Sequence, residues 1–109
     1  MADLSKSKIV KLVSGSRYQR LFSEDLGTCG IKAGHVILKK GEEIGEHSTN
    51  DKEEVLIILK GKGQLVIDRE DCLDFEGNAV LYVPPQTAHN VKNAGNGILK
   101  YIFITSNAK

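Results

Sequence analysis

Between residues 41 and 61 the chain reads Gly41-Glu-Glu-Ile-Gly-Glu-His47-Ser-Thr49-Asn-Asp-Lys-Glu53-Glu54-Val-Leu-Ile-Ile-Leu59-Lys-Gly61. Val55–Leu59 is the longest unbroken apolar run in the protein, and its β-branched content favours a strand over a helix. Gly61 supplies the tight turn that ends it. His47 and Thr49 are two positions apart, so an extended backbone puts them on one face, about 7 Å apart. Glu54 opens the apolar strand. A hairpin-like turn through Asn50–Glu53 would bring it back alongside His47.

Outward from this stretch the pattern repeats as short strands punctuated by glycine. Val36–Leu38, Leu65–Ile67, Val80–Val83 and Ile98–Thr105 are all β-rich and separated by turn residues, and eleven glycines fall mostly between such runs. No window sustains an apolar helical stripe. Arg69-Glu70-Asp71 has the character of a hairpin tip. Val55–Leu59 and Ile98–Thr105 are apolar on both faces, which predicts cover on both sides by a second sheet or a partner chain. A homodimer sharing such a strand is the economical expectation. Residues 1–8 and 106–109 are small and polar and are expected to fray.

Composition limits what such a domain can do. At 109 residues there is room for one domain, 1–109, with a single sheet-based core. Fifteen basic against fourteen acidic residues leave a net charge of +1, which argues against a nucleic-acid partner. No apolar run approaches the ~20 residues that cross a bilayer. The segment Met1–Lys8 carries no apolar core of the kind that directs secretion, so the expected address is the cytoplasm. There Cys29 and Cys72, which form no CxxC pair, are expected to be reduced, buried fillers.

A second segment carries the remaining chemistry. In Pro84-Pro85-Gln86-Thr87-Ala88-His89-Asn90-Val91-Lys92-Asn93, the prolines mark a strand end. His89 and Val91 then share one face of the next strand.

Together these segments resemble the two motifs of the cupin superfamily. Gly41, five residues, His47, Ser48, Thr49, four residues, Glu54, six residues, Gly61 follows the first motif, with Thr49 where its second histidine stands. Pro84, one residue, Gln86, two residues, His89, three residues, Asn93 follows the second, with Gln86 in place of glycine and Gly77 one residue too far upstream. The motif core spans 41–93. The resemblance implies an all-β, single-domain double-stranded β-helix, the jelly-roll or cupin barrel. It also implies a divalent metal inside, held by His47, Glu54 and His89. Glu54 is preferred over Glu53 because it alone places Gly61 at the motif spacing.

Two imidazoles and a carboxylate suit Fe, Mn, Ni, Zn or Co and leave coordination positions open for substrate and water. Thr49 and Gln86 would then orient water or substrate from beside the ligands. The resemblance implies a small cupin acting on or binding a small oxygen-rich or anionic molecule, in the manner of a dioxygenase, isomerase or decarboxylase. The alternative is a non-enzymatic ligand-binding or sensing barrel with a degenerate or empty metal site. Outside the motifs, His35 is read as a sheet-packing or water-facing residue, and Tyr82 and Tyr101 as core residues. Lys39–Glu43 is read as a solvated edge.

Overall fold

The computed structural model describes residues 6–108. Among the described residues nine strands form two antiparallel sheets: β1 (Tyr18–Phe22), β2 (Lys32–Leu38), β3 (His47–Ser48), β4 (Lys52–Lys60), β5 (Lys62–Ile67), β6 (Asp71–Glu76), β7 (Ala79–Val83), β8 (Ala88–Asn93) and β9 (Leu99–Asn107). One turn of 3-10 helix, Glu24–Leu26, follows β1. The five-stranded sheet runs β1-β2-β9-β4-β7 and the four-stranded sheet β3-β8-β5-β6. This is the expected all-β jelly roll. No helix among the described residues is long and apolar enough to cross a membrane.

The alternation of β4 positions the interior. Glu54, Leu56 and Ile58 are buried, while Val55 and Ile57, pointing the other way, are half-buried. Leu56 and Ile58 meet Val36, Leu38, Leu65, Phe75, Val83, Val91, Leu99 and Tyr101 in the core between the sheets. The second sheet therefore covers one face of each doubly apolar run. The outer face of the large sheet carries Val55, Ile57, Ile102, Ile104, Val80 and Tyr82, which register places side by side across β9, β4 and β7. Val80 and Tyr82 are 68% and 56% exposed.

Several turns explain their residues. Gly61 sits at φ +100°, and a Cβ there would lie 2.5 Å from the Ile98 carbonyl oxygen, so this position admits only glycine without rearrangement. Asp68 and Arg69 both take left-handed φ (51° and 64°) in the three-residue turn Asp68–Glu70 between β5 and β6, close to the expected hairpin tip.

Five expectations need correction. The turn after His47 is no hairpin: β3 pairs with β8 in the small sheet, whereas β4 belongs to the large one. The chain crosses between sheets at Thr49–Asp51, so Glu54 faces the histidines across the barrel. At the C-terminal end, Ser106 and Asn107 extend β9 and pair with Glu53 and Lys52 instead of fraying. Near the N-terminus, the Lys8 ammonium donates to the Leu26 carbonyl, while residues 1–5 and 109 lie outside the described residues. Cys29 and Cys72 are free, as expected, but both are exposed. Tyr82 is exposed too, its hydroxyl donating to Glu53 (2.9 Å), because Val80 and Tyr82 lie on the outward face of β7.

Candidate metal centre

The strand register brings the three expected ligands to one point. On β3 and β8, His47 stands directly opposite His89, and their ring centroids lie 4.2 Å apart with the planes tilted by 56°. Glu54 arrives from the inward face of β4 in the opposing sheet. One ligand atom from each of His47, Glu54 and His89 lies within 4.8 Å of the others. Ligand atoms around a tetrahedral or octahedral ion at about 2.0–2.2 Å stand about 3–4 Å apart, so a closure of about 1–2 Å in the widest pair completes the set. The donor types and their spacing fit a divalent ion.

Backbone carbonyls aim both rings. His47 Nδ1–H donates to the Gly45 carbonyl (2.9 Å), leaving Nε2 as its ligating nitrogen. His89 Nδ1–H donates to the Thr87 carbonyl (3.1 Å), and its Nε2–H donates to Glu54 Oε1 (2.7 Å). Burial alone lowers the His89 pKa, but the Glu54 carboxylate and the Thr87 carbonyl more than reverse that and raise it. In the metal-free chain the buried His89–Glu54 bond, both partners under 8% exposed at the side chain, therefore favours the protonated imidazole. The proton on Nε2 occupies the place a cation would take.

Thr49 lines the same cavity but is committed elsewhere. Its hydroxyl donates to the Pro84 carbonyl (2.7 Å) and accepts from the Thr87 N–H (3.1 Å). Toward a metal-bound water it has no proton left to give. It fastens the crossover before β4 to the loop before β8, so it positions Glu54 and His89 relative to one another. Gln86 lies in that loop at φ +54°, its N–H donating to the Asn50 carbonyl (2.8 Å). The left-handed backbone explains why the motif has glycine there. Gln86 does not line the cavity. Asn93, the last motif residue, donates to the carbonyls of Leu38 (3.0 Å) and Gly97 (2.8 Å) and so ties β8 to the ends of β2 and the β9 turn.

The cavity around the three candidate ligands has a volume of about 660 Å³, ample for a small organic molecule. His47 is exposed at its mouth while Glu54 and His89 lie at its depth. Its walls include residues that sequence spacing did not single out as site groups: Tyr18, Lys32, Lys52, Phe103 and Thr105. Tyr18 and Phe103 stack (centroids 6.1 Å, planes 11° apart) over Gly34, whose absent side chain leaves room for both rings. Tyr101, read from sequence as core, is buried and also forms part of the wall. Burial, and next the nearby Glu54 charge, push its phenol pKa far up, against an opposing pull from Arg17, so the hydroxyl stays protonated. His35 is buried on the opposite, outer face of β2 and does not reach the cavity.

Comparison with known proteins agrees with this geometry. The conserved pattern of the Cupin domain matches residues 34–105, two thirds of the chain. An uncharacterized protein of Methanocaldococcus jannaschii is 33% identical over 75 residues, covering 67% of this chain and 59% of its own. A glucose-6-phosphate isomerase of Pyrococcus abyssi is 37% identical over 54 residues, 46% of this chain and 29% of the isomerase. The chain thus spans less than two thirds of the length of these relatives. Among solved structures, a predicted oxalate decarboxylase of Thermotoga maritima superimposes with a TM-score of 0.76 at 19% identity, over 83% of this chain and 78% of the other. With its motif residues gathered inside a two-sheet barrel and the domain pattern running from β2 to β9, the chain belongs to the cupin family.

Proposed function

We propose that this cupin binds one divalent metal ion through His47, Glu54 and His89 and uses the surrounding cavity to bind and act on a small oxygen-rich or anionic molecule. The observation that carries this reading is the convergence of two imidazole nitrogens and a carboxylate within 4.8 Å at the wall of a molecule-sized cavity. A bound ion would supply Lewis-acid polarisation of a ligand oxygen, with coordination positions left free by a three-residue set. The chain's residues do the rest. Gly45 and Thr87 carbonyls hold the imidazoles in one orientation. The Tyr101 phenol, kept protonated, is a neutral hydrogen-bond donor in the wall, and Phe103 and Tyr18 exclude water from one side. The names of the relatives, an isomerase of a sugar phosphate and a predicted decarboxylase of oxalate, support an anionic ligand.

The test is elemental analysis of protein purified without added metal or chelator, followed by zinc titration. Stoichiometric metal that is lost in His47→Ala and His89→Ala supports the reading. A folded wild-type chain that takes up no Fe, Mn, Ni, Zn or Co refutes it. That second result favours the non-enzymatic ligand-binding reading, which has its own support. The His89–Glu54 bond satisfies the buried charges without an ion, so the barrel can stand empty.

We further propose a homodimer through the outer face of the large sheet. Its support is the apolar surface that Val80, Tyr82, Val55, Ile57, Ile102 and Ile104 present across three strands, most exposed at Val80 and Tyr82. A cytoplasmic address is supported by two exposed cysteines left unpaired.

A further inference from the structure

The inward face of the large sheet carries, just beyond the ligands, a row that neither motif contains. Register sets Glu54 opposite Thr105 and Thr105 opposite Lys32, across β4, β9 and β2. All three line the cavity. Neighbouring strands lie about 4.8 Å apart, so Thr105 is one strand from the metal ligand and Lys32 two. Thr105 Oγ1 is buried yet has no hydrogen-bond partner among the described residues. Almost every buried hydroxyl has one, and leaving it without costs stability, so an orphan on a residue that lines a cavity points to a group that arrives from outside and draws the hydroxyl round to it.

The charges at the mouth say what kind of group. Among the described residues, Lys32 forms no ion pair, and Lys52 donates only to the neutral Asn107 side chain (2.7 Å). Of the carboxylates in the wall, Glu46 is neutralised by Arg69 (2.9 Å) and Glu54 belongs to the metal set, which leaves Asp51 alone against two lysines. A cavity holding a divalent ion therefore has a surplus of positive charge, and that surplus lies on both sides of the Thr105 hydroxyl. Only an anionic group satisfies the hydroxyl and both charges at once.

We propose that Thr105 and Lys32 form an anchoring subsite for one end of a short two-headed anion, a dicarboxylate or a phosphorylated hydroxy or keto acid. Its other oxygen-bearing end occupies the open metal positions, so this subsite rests on the metal reading above. Thr105 Oγ1–H donates to the distal oxyanion, and the Lys32 ammonium closes over it from the rim. Lys52 adds long-range attraction. The ligand has to span one to two strand spacings, which excludes one-headed acids as full occupants. Thr105 is thus a specificity residue that selects the length and charge of the ligand.

The experiment uses the full chain loaded with zinc, with succinate as the two-headed probe and acetate as the one-headed control, followed by calorimetric titration. Thr105→Val keeps shape and removes the donor. It should weaken succinate about tenfold, the effect of one hydrogen bond to a charged group, while leaving acetate and zinc affinity unchanged. Thr105→Ser should restore succinate binding, which separates loss of the hydroxyl from any disturbance of β9. Lys32→Met should weaken succinate about threefold at low salt and less at high salt. Succinate binding that is equal in wild type and Thr105→Val, or acetate weakened as much as succinate, overturns the subsite while leaving the metal reading intact. A wild-type chain that takes up no zinc overturns the metal reading itself, and the subsite with it.

Discussion

Replacing Thr49 with valine separates a structural role from a metal-facing one. The substitution keeps the branched shape and removes only the hydroxyl. In a slot where Thr49 is 7% and Thr87 8% exposed, it leaves the Thr87 N–H without an acceptor and the Pro84 carbonyl without its 2.7 Å donor. A buried group left unpaired costs about 1–3 kcal/mol. Thr87 bears the full penalty and the part-buried Pro84 carbonyl a fraction, together about 3 kcal/mol. The extra buried methyl offsets about 0.8 kcal/mol of this, for a net loss of about 2 kcal/mol. For a two-state domain this size, that lowers the urea midpoint by about 1–2 M and the melting temperature by about 9 °C. Urea denaturation of wild type and Thr49→Val, both without metal, measures it, and zinc titration of the folded variant supplies the second readout. Weaker stability with zinc affinity nearly intact is the expected pair of results. An unchanged midpoint with zinc affinity lost would place Thr49 among the metal-facing groups and refute the clamp.

Four further outcomes follow from the same structure. Gly61→Ala forces a Cβ to 2.5 Å from the Ile98 carbonyl oxygen at a left-handed φ of +100°, and should cost about 2–4 kcal/mol in urea denaturation, more than a surface substitution allows. His35, whose pKa is lowered by burial and then by Lys100 against a bond from the Val13 backbone, is a base that folds best neutral. Its contribution is therefore complete above the ordinary value of 6.5 and is lost as pH falls below it, so His35→Leu should flatten the decline in urea midpoint between pH 7 and pH 5. The raised His89 pKa has the opposite sign: its ion pair with Glu54 stabilises the metal-free chain below pH 6.5 and fades as pH rises through the folded value. Zinc must displace that proton, so the thermal shift caused by zinc should be larger at pH 8 than at pH 6, and a shift independent of pH would exclude histidine ligation. Val80→Asp, at the most exposed point of the apolar outer face, should convert a sedimenting dimer to monomer without changing the far-ultraviolet spectrum; an unchanged sedimentation coefficient would remove that face as the interface.

How much of this was legible in the sequence depends on whether the signal was local. The strand from Lys52 to Lys60 is announced by its own apolar run and by the one residue that fits its closing turn. The candidate ligand trio is legible through the resemblance to the two cupin motifs, whose spacing His47, Glu54 and His89 match. β1 and β6 were not anticipated. They are edge strands in which only Leu21 on β1 and Phe75 on β6 are buried, so neither carries a long apolar run like that of β4. The meeting of His47 with Glu54 was expected for a mistaken reason. A hairpin would have placed them side by side in one sheet, with parallel side chains competing for the same space. Crossing between sheets instead points them at each other through the interior, which is the arrangement that can enclose an ion.

Thr105 and Lys32 were invisible for the complementary reason. Nothing near either residue is unusual, and their significance arises only when β9 is set between β2 and β4 with Thr105 level with Glu54. The barrel thus divides its chemistry by how far the information has to travel. The groups that would hold the ion are written in short-range spacing that any strand–turn–strand geometry must preserve. The groups that would choose the ligand sit on strands far apart in sequence, where a single threonine or lysine can change without disturbing the ligands. A scaffold built this way could keep a metal-binding set while its ligand preference varied, so ligand preference in such a barrel is to be sought in the rows flanking the trio on β2 and β9 instead of in the trio itself.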